Sequence, residues 1–223
     1  MKKTAFILML AMLLSSCVSV VNGGKTVKCG GDPVDRAMAL SGFSGITVEG
    51  AAQIEIVNAD VFNVTVSANE EVFGYLDYHI KGKDLVISTV DHVKISAKLY
   101  KVLIQAPVLE SINIEGAAEI DLPGGYKSGK DLQIEIDGAG KLNLNGIEVP
   151  TLDLSINGAG EFDLNGIAVD KLIIEVNGAG RGTVSGTADY ATLSVAGTAK
   201  IDAAALTCPN VEKNVNGLAS ISL

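Results

Sequence analysis

From Phe43 onward, apolar residues occupy every second position. "ITVEG" at 46–50, "AQIEIV" at 52–57, "FNVTVSA" at 62–68 and "LVIST" at 85–89 all alternate in this way. A period of two is the mark of a strand with one face in a core. The nearest approach to a helical pattern is "NEEVFGYLDYHI" at 69–80, which predicts one short helical turn. The alternation then becomes periodic on a longer scale. "VEGAAQIEI" (48–56), "IEGAAEIDL" (114–122), "IDGAGKLNL" (136–144), "INGAGEFDL" (156–164), "VNGAGRGTV" (176–184), "VAGTAKIDA" (195–203) and "VNGLASISL" (215–223) align without gaps. From Gly116, their first glycines recur at intervals of 22, 20, 20, 19 and 20 residues, the longest holding the insertion "PGGYKSGKD". A second alternating run precedes most repeats, as in "LQIEI" at 132–136 and "LIIEV" at 172–176. The unit is therefore strand, glycine turn, strand and connector.

Two architectures fit such a unit. Asn-Gly is a strong hairpin signal and suggests an antiparallel meander. Stacked parallel repeats are the other possibility. The residues just after the turn are Glu119, Lys141, Glu161, Arg181, Lys200 and Ser220. In a parallel stack they form a column spaced about 4.8 Å apart, where mostly alternating signs avoid like-charge contacts. A meander gives no reason for that order, so the expectation is an all-β parallel β-helix, or solenoid, with coils of about 20 residues. In it Gly138, Gly140, Gly158, Gly160, Gly178 and Gly180 are structural turns, approached by the next coil rather than by a ligand. Ala117, Ala139, Ala159 and Ala179 stack as methyl groups, and Asn157 and Asn177 form an amide ladder. Leu152, Leu154, Ile156, Phe162 and Leu164 point inward, with Leu172, Ile174, Val176 and Val184 in the equivalent places. Asp153, Ser155 and Asp163 face water.

Composition narrows the partners. The 223 residues are 48% hydrophobic but only 4% aromatic, without Trp, so the core is aliphatic. A net charge of −9 and no Lys/Arg cluster argue against nucleic acid. At the N-terminus, Lys2 and Lys3 precede an apolar run from Ala5 to Leu14 and then small residues, the pattern of a secretory signal. Leu14-Ser15-Ser16-Cys17 resembles the lipobox of bacterial lipoproteins. That resemblance implies a signal peptide over 1–16 and lipid attachment at Cys17, hence a membrane partner through the anchor. The location expected is the cell envelope, as an outer-membrane lipoprotein of either facing. "CVSVVNGGKTVKCGGDPVDRAMAL" over 17–40 reads as a flexible tether. Residues 41–223 read as one domain, less regular over 41–110 and regular over 111–223. Cys29 and Cys208 either pair in an oxidising envelope or remain free thiols.

The segments "FSGITVEGAAQIEI", "GYLDYHIKGKDLVIS" and "VLIQAPVLESINIEGAAEIDL", followed by the GAG corners, resemble the DUF2807 family, the auto-transporter adhesin head GIN domain. The resemblance covers about residues 41–223. It implies a β-helix-like fold and an envelope protein of Bacteroidetes or similar bacteria, and it carries over no catalytic residue. The chain departs from the pattern with Ala118, Ala199 and Ala219 at the second small position, and the last repeat has no evident cap.

A search for chemistry finds little else. Glu135, Asp153, Glu161, Asp163 and Glu175 lie on the outer face and could supply a glycosidase pair. Other repeats put Ser155, Ser194, Asn214 and Lys141 in such places, as on a solvated surface. Asp121 and Asp137 lack the alternating Asp spacing of a calcium loop. His79 and His92 have no Cys or Glu in register for zinc. No helix start follows the GAG turns, so they are not a nucleotide fingerprint. No cofactor is expected. Phe73, Tyr75, Tyr78 and His79 form either a cap over the first coils or a ligand patch. The function expected is non-catalytic: adhesion, scaffolding or interaction with an envelope protein or glycan, with self-association possible through the open end near 215–223. The alternative is a polysaccharide-binding or polysaccharide-degrading β-helix protein.

Overall fold

The computed structural model describes residues 18–19, 25–28, 32–90, 93–97 and 100–223, and they are nearly all strand. The fold is all-β, built on one large open sheet. Its regular part is a ladder of parallel, in-register pairings. Ser111–Leu122 pairs with Gly45–Asn58 on one side and with Leu132–Asn145 on the other. Leu132–Asn145 pairs in turn with the long strand Ile147–Thr207, which carries Asn210–Gly217 and Ser220–Ser222 beyond it. Gly50, Gly116, Gly138 and Gly158 are successive partners, as are Gly197 and Gly217. The parallel order argued from charge is the order observed.

The register explains the alternation. The nine residues expected to point inward, from Leu152 to Val184, are all buried, within one core that runs through the ladder. Burying such a side chain contributes about 1.5–3 kcal/mol, so aliphatic columns are the main stabilising feature. Asp153, Ser155 and Asp163 are half-buried rather than open to water, because neighbouring repeats crowd them on both sides. Asn177 Nδ2 donates to Asn157 Oδ1 at 3.2 Å, and Asn157 Nδ2 donates to Asp137 Oδ1 at 3.0 Å. The amide ladder therefore extends to an aspartate. The alternating charges give one ion pair, Lys141 to Glu119 at 3.0 Å, of the exposed kind that contributes about 0–1 kcal/mol.

Two boundaries differ from the sequence reading. The expected connectors are extended segments in their own right. Ile147 and Val149, then Ile167 and Val169, turn into the same core, after second turns at Gly146 and Gly166. Each segment offers only two inward residues, too few for a periodic signal. The expected tether also contains structure: Val34–Met38 pairs antiparallel with Asn63–Ala68. Lys25–Lys28 pairs with Val93–Ala97 in a small separate sheet.

The less regular part covers the first end of the ladder. Asp84–Thr89 pairs with the first half of Gly45–Asn58, and Leu76–Lys81 folds back on it as a hairpin. Tyr100–Ala106 pairs with the second half and carries Asn63–Ala68 antiparallel. The expected helical turn is a short 3-10 helix, Glu70–Tyr75, with Val72 buried. Phe73, Tyr75 and Tyr78 pack against the core, as a cap does. The Arg36 guanidinium lies 4.4 Å from the Phe73 ring centre, and the Tyr78 and Tyr100 hydroxyls bond one another. Burial pushes the Tyr100 hydroxyl up to about 12 and raises Tyr78 well above its ordinary value.

Candidate functional site

The repeat corners set the most distinctive surface. Gly138, Gly158 and Gly178 have φ of 141°, 141° and 144°. A methyl group on them would stand 2.3, 2.3 and 2.1 Å from the carbonyl oxygen of the glycine one repeat earlier. No side chain fits there, because backbone approaches backbone. The second glycine answers a different constraint. A methyl on Gly140 or Gly160 would point inward and meet Ile136 or Ile156 of its own strand at 2.8 or 2.9 Å. On Gly180 it would lie 2.9 Å from the Gly160 carbonyl oxygen. Ala52, Ala118 and Ala199 take this second place in other repeats, and there they are buried.

Between these two positions the chain turns its middle residue outward. Ala51, Ala117, Ala139 and Ala159 are successive partners and, with Ala179, line one wall of a groove. Small residues at the second position form the floor, and Gln53, Glu119, Lys141 and Glu161 form the other wall. The groove is shallow and open to solvent, with a volume of about 690 Å³, and follows the ladder. With rungs about 4.8 Å apart, it presents an equivalent place at each step. Two of its three charged residues engage one another, Lys141 and Glu119, and the Gln53 Nε2 amide also donates to Glu119 Oε2 at 3.5 Å. The bond from Lys141 to Glu119, and then Glu119's charge, raise the Lys141 ammonium above its ordinary value. The groove thus offers an apolar, aromatic-free trough with a polar rim on which Lys141 pairs with Glu119.

The sequence singled out the corner glycines and the alanine column but not the groove between them. Concavity depends on how sharply the corner bends, which a one-dimensional pattern does not carry.

Apart from Glu161 on the groove wall, the other candidates lie elsewhere. Glu135, Asp153 and Asp163 are half-buried on the outer face, and Glu161 and Glu175 are exposed. Asp163 accepts a bond from the Thr183 hydroxyl, and Glu175 accepts one from Asn177 at 3.1 Å. Burial, and then the charge of Glu175, raise the Asp153 carboxyl above its ordinary value, while Lys171 acts in the opposite sense. Asp121 and Asp137 accept bonds from Asn143 and Asn157, so both serve the ladder. His79 Nδ1 lies 3.1 Å from Asp77. Among the described residues, no group of three or more His, Cys, Asp or Glu side chains is placed to hold a metal, and no helix is long and apolar enough to cross a membrane. Cys17, Cys29 and His92 lie outside the described residues, and so do the signal peptide and any pairing of Cys29 with Cys208.

Comparison with known proteins agrees with this architecture. A family model described as "Putative auto-transporter adhesin, head GIN domain" (DUF2807) matches residues 42–223. The structure of a "putative adhesin" from Bacteroides fragilis is similar with a TM-score of 0.69 at 14% identity, covering 88% of this chain and 99% of that one. A "putative adhesin" from Parabacteroides merdae gives 0.57 at 15% identity, over 88% of this chain and 98% of the other. A "putative lipid binding protein" from Parabacteroides distasonis gives 0.51 at 18% identity, over 89% and 99%. At these identities the likeness is one of fold. No curated protein matches the chain.

Proposed function

The chain belongs to the DUF2807 family, and on that premise we propose a non-catalytic adhesin or scaffold of the cell envelope: a lipid-anchored β-solenoid that presents one long regular face to a partner. The observation that carries the reading is the register. Equivalent residues of successive repeats pair from Gly45 onward, with the alanine column on the surface and the aliphatic columns inside. A dedicated active site commonly interrupts its scaffold with loops. The ladder instead repeats one corner, and its outer carboxylates vary from rung to rung. The family description and two of the three similar structures carry the name "putative adhesin", which supports the same reading.

The partner surface in this proposal is the alanine-walled groove, and the anchor is the lipid on Cys17 of an outer-membrane lipoprotein. Attachment of cells to protein-coated and glycan-coated surfaces tests the groove. Cells carrying Ala139→Arg with Ala159→Arg, at equal protein levels, should attach less than cells carrying the native chain. Equal attachment would refute the groove as the contact surface. Metabolic palmitate labelling tests the anchor: Cys17→Ala should abolish the label and release the protein from membranes. A glycan array combined with a reducing-end assay separates the glycan alternative, since turnover of any glycan would replace adhesion by hydrolysis.

A further inference from the structure

The end of the ladder at Asn210–Gly217 carries a residue that breaks the pattern. Ile46, Ile112, Ile134, Leu154, Ile174 and Leu193 hold one repeat position, and all six are fully buried. Register places Ile46 beside Ile112, Ile112 beside Ile134 and Ile134 beside Leu154. The next partner, opposite Leu193, is Lys213. Its neighbours stay apolar: Val211 is paired with Ala191, Val215 with Val195 and Ile221 with Ile201. A lysine therefore stands in an aliphatic column. Its Nζ donates to the carbonyl oxygen of Ile221 at 3.5 Å, so the ammonium reaches the strand Ser220–Ser222 that forms the other side of this rung.

Without that charge the rung would be adhesive. Among the described residues, Asn210–Gly217 pairs with a strand on one side only. Val215, Leu218 and Leu223 are exposed around it, Leu218 at 86%. Unpaired backbone groups beside exposed apolar residues make a template for another chain. A lysine at the core position changes the balance, because a further rung would have to take its ammonium out of water with only the long bond to the Ile221 carbonyl oxygen, and no opposite charge, to hold it. Two copies meeting through this edge would bring two Lys213 ammonium groups together.

We propose that Lys213 blocks this edge, keeping a second copy of the chain from adding to the ladder by strand pairing. Self-association through this edge is one of the expectations from the sequence, and this proposal opposes it on the register of Lys213.

Sedimentation velocity over a wide range of protein concentration tests the proposal. The native protein and Lys213→Arg should sediment independently of concentration. Lys213→Leu should shift to larger species as concentration rises, and the binding of a cross-β dye should increase with them. Lys213→Met serves in the same way should the leucine variant not fold. An uncharged variant that folds and sediments like the native protein would overturn the proposal. So would a native protein that associates as readily as the variant.

Discussion

Gly158→Ala isolates what the repeat corner demands. The new methyl would lie 2.3 Å from the Gly138 carbonyl oxygen and 3.2 Å from its carbon, against backbone that pairs with a further rung. Relief requires the rungs to part by about 1 Å, which stretches the ladder bonds at the corner; overpacking of this kind costs about 1–3 kcal/mol. The backbone term adds to it, since φ is 141° and a side chain in such a region costs about 1–3 kcal/mol. The total is about 2–6 kcal/mol, a large part of a typical stability of about 5–15 kcal/mol. Gly166→Ala is the control. Its φ is 65°, but nothing lies within 4 Å of the added methyl, so only the conformational term of about 1–2 kcal/mol remains. Urea unfolding followed by circular dichroism should give a lower midpoint for Gly158→Ala than for Gly166→Ala at equal slope. Equal midpoints would show that no backbone contact governs Gly158. A Gly158 variant of native stability that lost partner binding would return the glycine to a ligand-binding role.

Two further outcomes follow from side-chain packing and charge. A methyl on Gly182 would lie 2.0 Å from the Phe162 ring, so Gly182→Ala should destabilise by about 1–3 kcal/mol; with Phe162→Leu the loss should be less than additive, and strict additivity in a double-mutant cycle would refute the pairing. The Asp153 carboxyl is raised in the folded chain above 3.8, so the folded state holds its proton more tightly than the unfolded one. Stability then falls as pH rises through the window above 3.8, and Asp153→Asn should be more stable than the native protein at pH about 7 but equal to it at pH about 3. A difference of the same size at both pH values would refute the linkage.

Sequence alone determined the alternating strands of the repeats, the repeat length and the parallel order. The alternation at Leu152, Leu154 and Ile156 obliges one face to be buried, and a spacing near 20 residues with compensating charges at Glu119, Lys141 and Glu161 is sensible only when equivalent residues are neighbours. The glycines of "INGAG" were legible as corners for the same reason. Tertiary structure decided what depends on contacts between rungs. Whether Gly160 faces its own Ile156 or the next backbone cannot be read from spacing, nor can the fit of Gly182 to Phe162. The strand at Val34–Met38 is stabilised by its partner Asn63–Ala68 more than by its own pattern. Lys213 was visible as a residue of the last repeat, but only register sets it beside Leu193 in the core column. The groove has the same origin. Local periodicity fixes which face is buried, whereas concavity and edge chemistry arise only when repeats are brought together in space.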